Sequence, residues 1–215
     1  MTTIDVDHHI SEIDRSVGSR RLEAGEARVL TVSRVYPTDR DDLWDACTNP
    51  ERIPRWFLPV SGDLTPGGRY KLEGNAEGTV EECDPPHRFT ATWEFGGQVS
   101  WIEVQVSAES GGRARFTLEH VAHVEDELWA QFGPGAAGVG WDGALMGLAL
   151  HLESGSQPVD PQAVQEWMAS EDGRRFFTES SAGWKDASIA AGTDPADAEA
   201  AAQRTTAFYT GAEGS

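Results

Sequence analysis

Two adjacent stretches carry the fold: Pro66-Gly67-Gly68-Arg69-Tyr70, and Gly78-Thr79-Val80-Glu81-Glu82-Cys83-Asp84-Pro85-Pro86-His87-Arg88-Phe89-Thr90-Ala91-Thr92-Trp93. Gly67-Gly68, Gly74-Asn75 and Asp84-Pro85-Pro86 are turn chemistry, and they separate short runs rich in β-branched and aromatic residues. Within the runs polar and apolar side chains alternate, as they must when one face of a strand packs on a core and the other meets water. The stretch predicts antiparallel strands joined by tight turns.

Working outward, the pattern predicts strands over 68–74, 77–83, 88–95, 99–108 and 113–122, preceded by a strand over Arg28–Tyr36 that stops at Pro37. Period-two parity puts Phe89, Ala91, Trp93 and Phe95 on one face, against Arg88, Thr90, Thr92 and Glu94 on the other. Ile102, Val104 and Val106 point the same way, as do Ala114, Phe116, Leu118 and His120. After the first strand, Thr38 or Asp39 can cap a helix through Cys47, with Leu43, Trp44 and Cys47 on one face. Asn49-Pro50-Glu51 starts a second short helix, which Trp56 and Phe57 end.

Beyond a linker at Glu125–Gly135, itself a candidate short helix, Trp141, Leu145, Leu148 and Leu152 mark a long helix over 136–153. Gly140, Gly143 and Gly147 flank it, which implies either a close backbone approach or space beside the helix. A break at 154–158 precedes helices at about 160–169, 171–190 and 194–209. Trp167, Phe176, Phe177 and Trp184 give these helices apolar faces that need a partner. The fold class expected is α+β, a curved antiparallel sheet of about six strands around a long C-terminal helix, the helix-grip arrangement. The expected divisions are a loose polar arm over 1–27, the helix-grip domain over 28–155 and a helical extension over 156–215.

A formal charge of −19 and a pI near 4.5 argue against nucleic acid and against an anionic membrane surface, since both need clustered Lys and Arg. The start lacks the basic and apolar runs of a secretory signal, and no stretch reaches the roughly 18 apolar residues of a membrane span. Cys47 and Cys83 are too few and too far apart for a disulfide framework or a CxxC site. A reduced, cytoplasmic protein is the expectation. The sequence has no GxSxG, HExxH, phosphate-loop or dinucleotide motif, and no cofactor is expected. His120 and His123 stand three apart on a strand and face opposite ways, and His8-His9 falls in the polar arm, so no metal is expected either.

The ordered set of elements resembles the START-related superfamily (SRPBCC, the birch-pollen-allergen fold), and within it homologues of the activator of the heat-shock chaperone ATPase. The resemblance rests on Arg34, Pro37, Trp44, Pro50 and Trp56, then Pro66-Gly67-Gly68-Arg69-Tyr70, then Gly78, Glu81, Pro85, Pro86 and Trp93. Gly140, Trp141, Leu145, Leu148 and Leu152 complete it. It covers about residues 28–155, and the tail has no counterpart in it. It implies a cavity between sheet and long helix, and a chaperone contact as one partner class.

Arg34, Trp56, Phe57, Tyr70, Trp93, Phe116, His120, Trp141 and Leu145 are the candidate lining of such a cavity, an aromatic site with few polar groups. His120 is either a general base or a hydrogen-bonded core histidine. Arg34 either meets an anionic ligand group or pairs with Glu73 or another carboxylate, and Asp142 is expected to be solvated at the helix edge. Three functions stay open. Binding of a small apolar or aromatic molecule leads, with no catalysis required. A cyclase- or hydrolase-like enzyme using His120 comes second. A chaperone cofactor or homodimer built on the tail, with an exposed patch of Trp167, Phe176, Phe177 or Trp184, comes third.

Overall fold

The computed structural model describes residues 4–155 and 160–212, so the break expected at 154–158 falls partly outside the described residues. The strands are β1 (Asp14–Leu22), β2 (Gly25–Tyr36), β3 (Val60–Gly62), β4 (Arg69–Leu72), β5 (Glu77–Asp84), β6 (Arg88–Phe95), β7 (Gln98–Glu109) and β8 (Arg113–Ala122). They form one eight-stranded sheet in the order β1-β2-β8-β7-β6-β5-β4-β3. From β3 to β8 each strand pairs antiparallel with the next. The β6–β7 turn is Gly96-Gly97, with φ of 58° and 80°, the left-handed backbone that a two-residue hairpin requires.

The helices are α1 (Val6–Ser11), α2 (Arg40–Thr48), α3 (Asp126–Phe132), α4 (Gly135–Glu153), α5 (Pro161–Ala169), α6 (Glu171–Ala190) and α7 (Pro195–Thr210). Their starts follow capping chemistry: Asp39, Asp160, Ser170 and Asp194 each accept a hydrogen bond from an orphan N–H of the following helix. The second short helix expected after Pro50 is only a 3-10 turn, Ile53–Arg55, because Pro54 inside it has no N–H to continue an α-helical ladder.

Eight strands replace the six expected. The two additions, β1 and β3, lack the alternation that reveals a strand: β1 buries no residue fully, and β3 has three residues. The arm expected to be loose therefore contains α1 and β1. Phe95, assigned to the inner face, lies past the end of the core and is 59% exposed.

The chain forms two compact units, and β2 and α4 each contribute to both. The helical unit takes the described residues up to Val32, then Val124–Gly143, then those of the tail. In it Phe176, Phe177 and Trp184 are buried core, and Trp167 packs at 5.8 Å from Phe176. The exposed patch expected from these residues is therefore not formed: the tail helices bury them within their own unit. Gly138 is needed here, since a Cβ on it would stand 2.2 Å from the Trp184 ring. Asp142, expected to be solvated, is fully buried. Arg15 Nε donates to its Oδ2 at 2.9 Å, and the Ser180 hydroxyl donates to the same oxygen at 2.5 Å.

The sheet unit takes Ser33–His123 and α4 from Ala144 onward. Its core is the inner face of β5–β8 with Leu43, Ala46, Leu145, Leu148 and Ala149. Two contacts fix α4 in this unit. Tyr36, fully buried, donates its hydroxyl to the Leu145 carbonyl at 2.9 Å. Gly147 lets the Trp56 carbonyl come so close that a Cβ would stand 2.5 Å from it. Cys47 and Cys83 are unpaired thiols, and burial pushes the Cys47 thiol up to about 12.

Candidate functional site

The site is built on the inner face of the sheet unit, where strand parity aligns side chains across five neighbouring strands. Tyr70 of β4 pairs with Gly78 of β5, and its ring lies over that glycine. A Cβ at Gly78 would meet both the Thr92 carbonyl and the Tyr70 ring. The Tyr70 hydroxyl reaches on to β6 and donates to the Thr92 carbonyl at 2.6 Å. Trp93 of β6 pairs with Ser100 of β7, and His120 of β8 pairs with Ile102, one inner-face position from Ser100. The result is a row of Tyr70, Trp93, Ser100 and His120 across the sheet.

Ser100 is the polar centre of the row. Its hydroxyl stands 3.0 Å from the Trp93 carbonyl and 2.8 Å from His120 Nε2. With one proton, the hydroxyl donates either to the carbonyl, receiving from His120, or to His120, so the pair can hold a proton on either side. The His120 ring also tilts against Trp93, with centroids 6.2 Å apart. Part of His120 reaches the surface, yet the protein strips most of the water from the ring. That desolvation lowers its pKa to about 4, and the imidazole is neutral at pH 7.

Further from this end the inner face closes. Ile102, Val104, Val106, Ala114, Phe116 and Leu118 are all buried, whereas Trp93 and His120 remain half-buried. Phe116 pairs with Val106 and lies four residues from His120, about 13 Å along the strand. It is packed core, apart from the row.

The other candidates divide between the units. Leu145 is buried on α4, and its carbonyl holds Tyr36. Arg34 is buried on β2 with its guanidinium 5.4 Å from the Tyr36 ring centroid. The pair expected with Glu73 is not made, since Glu73 is exposed and forms no ion pair among the described residues. Trp56 and Phe57 stack at 5.5 Å, and the Trp56 indole donates to the Ala46 carbonyl at 2.9 Å. Both are half-buried. Trp141 is buried in the first half of α4, which belongs to the helical unit. The structure thus brings Tyr70, Trp93 and His120 together and leaves Arg34, Phe116 and Trp141 elsewhere.

Ser100 was missed, although the signal was there: it shares the parity of Ile102, Val104 and Val106. Asp142 with Arg15 was not readable, because its partner lies 127 residues away. Among the described residues no group of three or more His, Cys, Asp or Glu could hold a metal ion. No helix among them is long and apolar enough to cross a membrane.

A curved antiparallel sheet with a long helix held against its inner face defines a helix-grip protein of the START-related superfamily. More particularly, the chain belongs to the family of activator of Hsp90 ATPase homolog 1-like proteins, whose model matches residues 37–153. It is similar to CalU16 from Micromonospora echinospora. That crystal structure is 32% identical, covers 81% of this chain and 97% of CalU16, and has a TM-score of 0.62. The solution NMR structure of CalU16 gives 33% identity, 83% and 96% coverage, and a TM-score of 0.68. MLL2253 from Mesorhizobium loti shares the fold at 20% identity over 59% of this chain and 98% of its own, with a TM-score of 0.53. Among curated proteins none matches. A span of 81% cannot be contained in residues 1–155, so the likeness to CalU16 runs into the tail helices that the sequence reading left without a counterpart.

Proposed function

We propose that this chain is a binding protein for a small apolar or aromatic molecule, which it takes at the Tyr70–Trp93–His120 end of the sheet's inner face. The observation that carries this is the contrast along one face: a closed apolar core at Phe116 and Leu118, and a half-buried indole and imidazole at the other end. An exposed aromatic continues the same face, since Phe95 follows Trp93 by two residues. An aromatic ledge with a few convergent polar groups is the usual composition of a small-molecule site. Ser100–His120 supplies the polar part, matched to a ligand carrying one hydroxyl or carbonyl.

The test is a fluorescence titration with the neutral aromatic probe N-phenyl-1-naphthylamine. Saturable enhancement is expected, about tenfold weaker in Trp93→Ala, with the fold checked by circular dichroism. Undiminished binding in that variant would move the ligand to another part of the chain.

One observation also favours chemistry at the same place: a neutral histidine 2.8 Å from a serine hydroxyl has the geometry of a general base. In that reading His120 takes a proton from bound substrate or water. Aryl-ester turnover that falls about a hundredfold in His120→Gln supports it; turnover equal in the two proteins removes it.

A further inference from the structure

The helical unit has a pocket of its own, apart from the row described above. It measures about 260 Å³, opens to solvent, and is lined by the end of α3, the second half of α6 and the first half of α7. Trp129, Phe132 and Trp184 make its aromatic walls, and Ser181, Lys185 and Asp197 are polar residues at its edge. Small residues on α7 leave the space: Ala198 and Ala201 face it where larger side chains would fill it.

The structure holds these walls firmly. Arg204 donates to the Gln131 and Ala130 carbonyls at 2.6 and 3.0 Å, and Thr205 donates to the Phe132 carbonyl at 3.0 Å. The last carbonyls of α3, which have no partner within their own helix, are thereby tied to α7. The pocket is a preformed feature of this unit.

Its charges are unequal. Lys185 is already neutralised, 3.2 Å from Glu199 and 3.8 Å from Asp186. Asp197 makes no ion pair or side-chain hydrogen bond among the described residues. Arg28 covers the Trp129 ring at 4.9 Å but is itself matched by Asp126 at 3.5 Å. A chain with a formal charge of −19 draws cations towards its surface in general. Two indoles and an unmatched carboxylate line the same pocket, a favourable setting for a cation, whose charge interacts with a ring quadrupole.

We infer that this pocket binds a small organic cation, of one or two rings or a quaternary ammonium, between Trp129 and Trp184 with its charge at Asp197. The volume sets the size limit, since it lies just below the roughly 300 Å³ at which drug-sized pockets begin. The inference does not rest on the function proposed for the sheet unit.

Isothermal titration of the full chain with benzyltrimethylammonium, benzyl alcohol and benzoate tests it. The cation should bind saturably, about tenfold tighter than the alcohol, with benzoate weakest. Asp197→Asn, an exposed near-isosteric change, should weaken the cation about fivefold or more, and Lys185→Gln should not weaken it. Trp129→Leu checks the wall independently and should also weaken it. Equal binding of the three probes, benzoate binding tightest, no saturable heat from the cation, or full affinity in Asp197→Asn would each overturn the assignment.

Discussion

His120 and Asp142 are both stripped of water by the fold, which favours the neutral form of each, so their pKa values move in opposite directions. For His120 burial favours the neutral ring, so its pKa falls from the ordinary histidine value to about 4. A depressed histidine contributes stability above its unfolded value, and that contribution is lost as pH falls from about 6.5 through 4. Histidine ring signals followed by NMR should show His120 with a titration midpoint near 4; a midpoint near 6.5 would mean that the ring is solvated. Asp142 is the reverse. Burial raises its carboxyl to about 6 in spite of Arg15, Ser180 and the Trp184 indole, which all draw it down. The Trp184 N–H does this without reaching full hydrogen-bond geometry. A raised carboxyl contributes stability below the ordinary carboxylate value, and loses it as pH rises through 6. Thermal unfolding should therefore show the difference between Asp142→Asn and the parent shifting in the variant's favour from pH 4 to pH 7. A difference that does not change with pH would show that Asp142 is not desolvated. Burying an ion pair commonly costs more than the pair returns.

Elements were legible to the extent that their periodicity was strong. The strands from β4 to β8 came out nearly at their boundaries, because one buried face forces alternation over many residues. The same parity pointed to Ser100, yet a serine among valines carries no apolar signal. β1 was hidden because Asp14–Leu22 reads Asp-Arg-Ser-Val-Gly-Ser-Arg-Arg-Leu, a strand with neither face buried. The α4 glycines divided in a way that no sequence pattern could assign. Gly147 is a close backbone approach, with a Cβ only 2.5 Å from the Trp56 carbonyl, whereas a Cβ on Gly140 would sit 3.6 Å from the Tyr209 hydroxyl. Gly147→Ala should cost about 2 kcal/mol or more in urea unfolding, because a backbone carbonyl cannot step aside. Gly140→Ala should be neutral or gain about 0.5–1 kcal/mol from helix propensity. Equal effects at the two sites would contradict this packing of α4. Tyr36→Phe removes the tie to the Leu145 carbonyl and should cost about 1 kcal/mol by the same measurement. No loss would mean that water serves the carbonyl equally well.

Across the whole chain, composition bounded the class of partner but did not identify the chemistry. A charge of −19 and the acidic pI disfavoured nucleic acid, and the aromatic content implied a core, but neither could say which aromatics stay half-open. Of the nine candidate lining residues, parity and turn chemistry aligned Tyr70, Trp93 and His120, which lie on one face of one sheet within one inner-face position of a common register. Arg34 and Trp141 are long-range questions, and no local pattern decides them. The tail was hard to read for the same reason: its aromatic residues were visible, but whether they pack inward or outward depends on partners far along the chain. The central claim is that the Tyr70–Trp93–His120 row receives an apolar aromatic molecule. The most direct test is a ¹H–¹³C NMR titration of the full chain with N-phenyl-1-naphthylamine, following the aromatic signals of Trp93 and His120. Saturable shifts of both, larger than those of Phe116, are predicted. Saturation that leaves Trp93 and His120 unmoved, or no saturation at all, would contradict it.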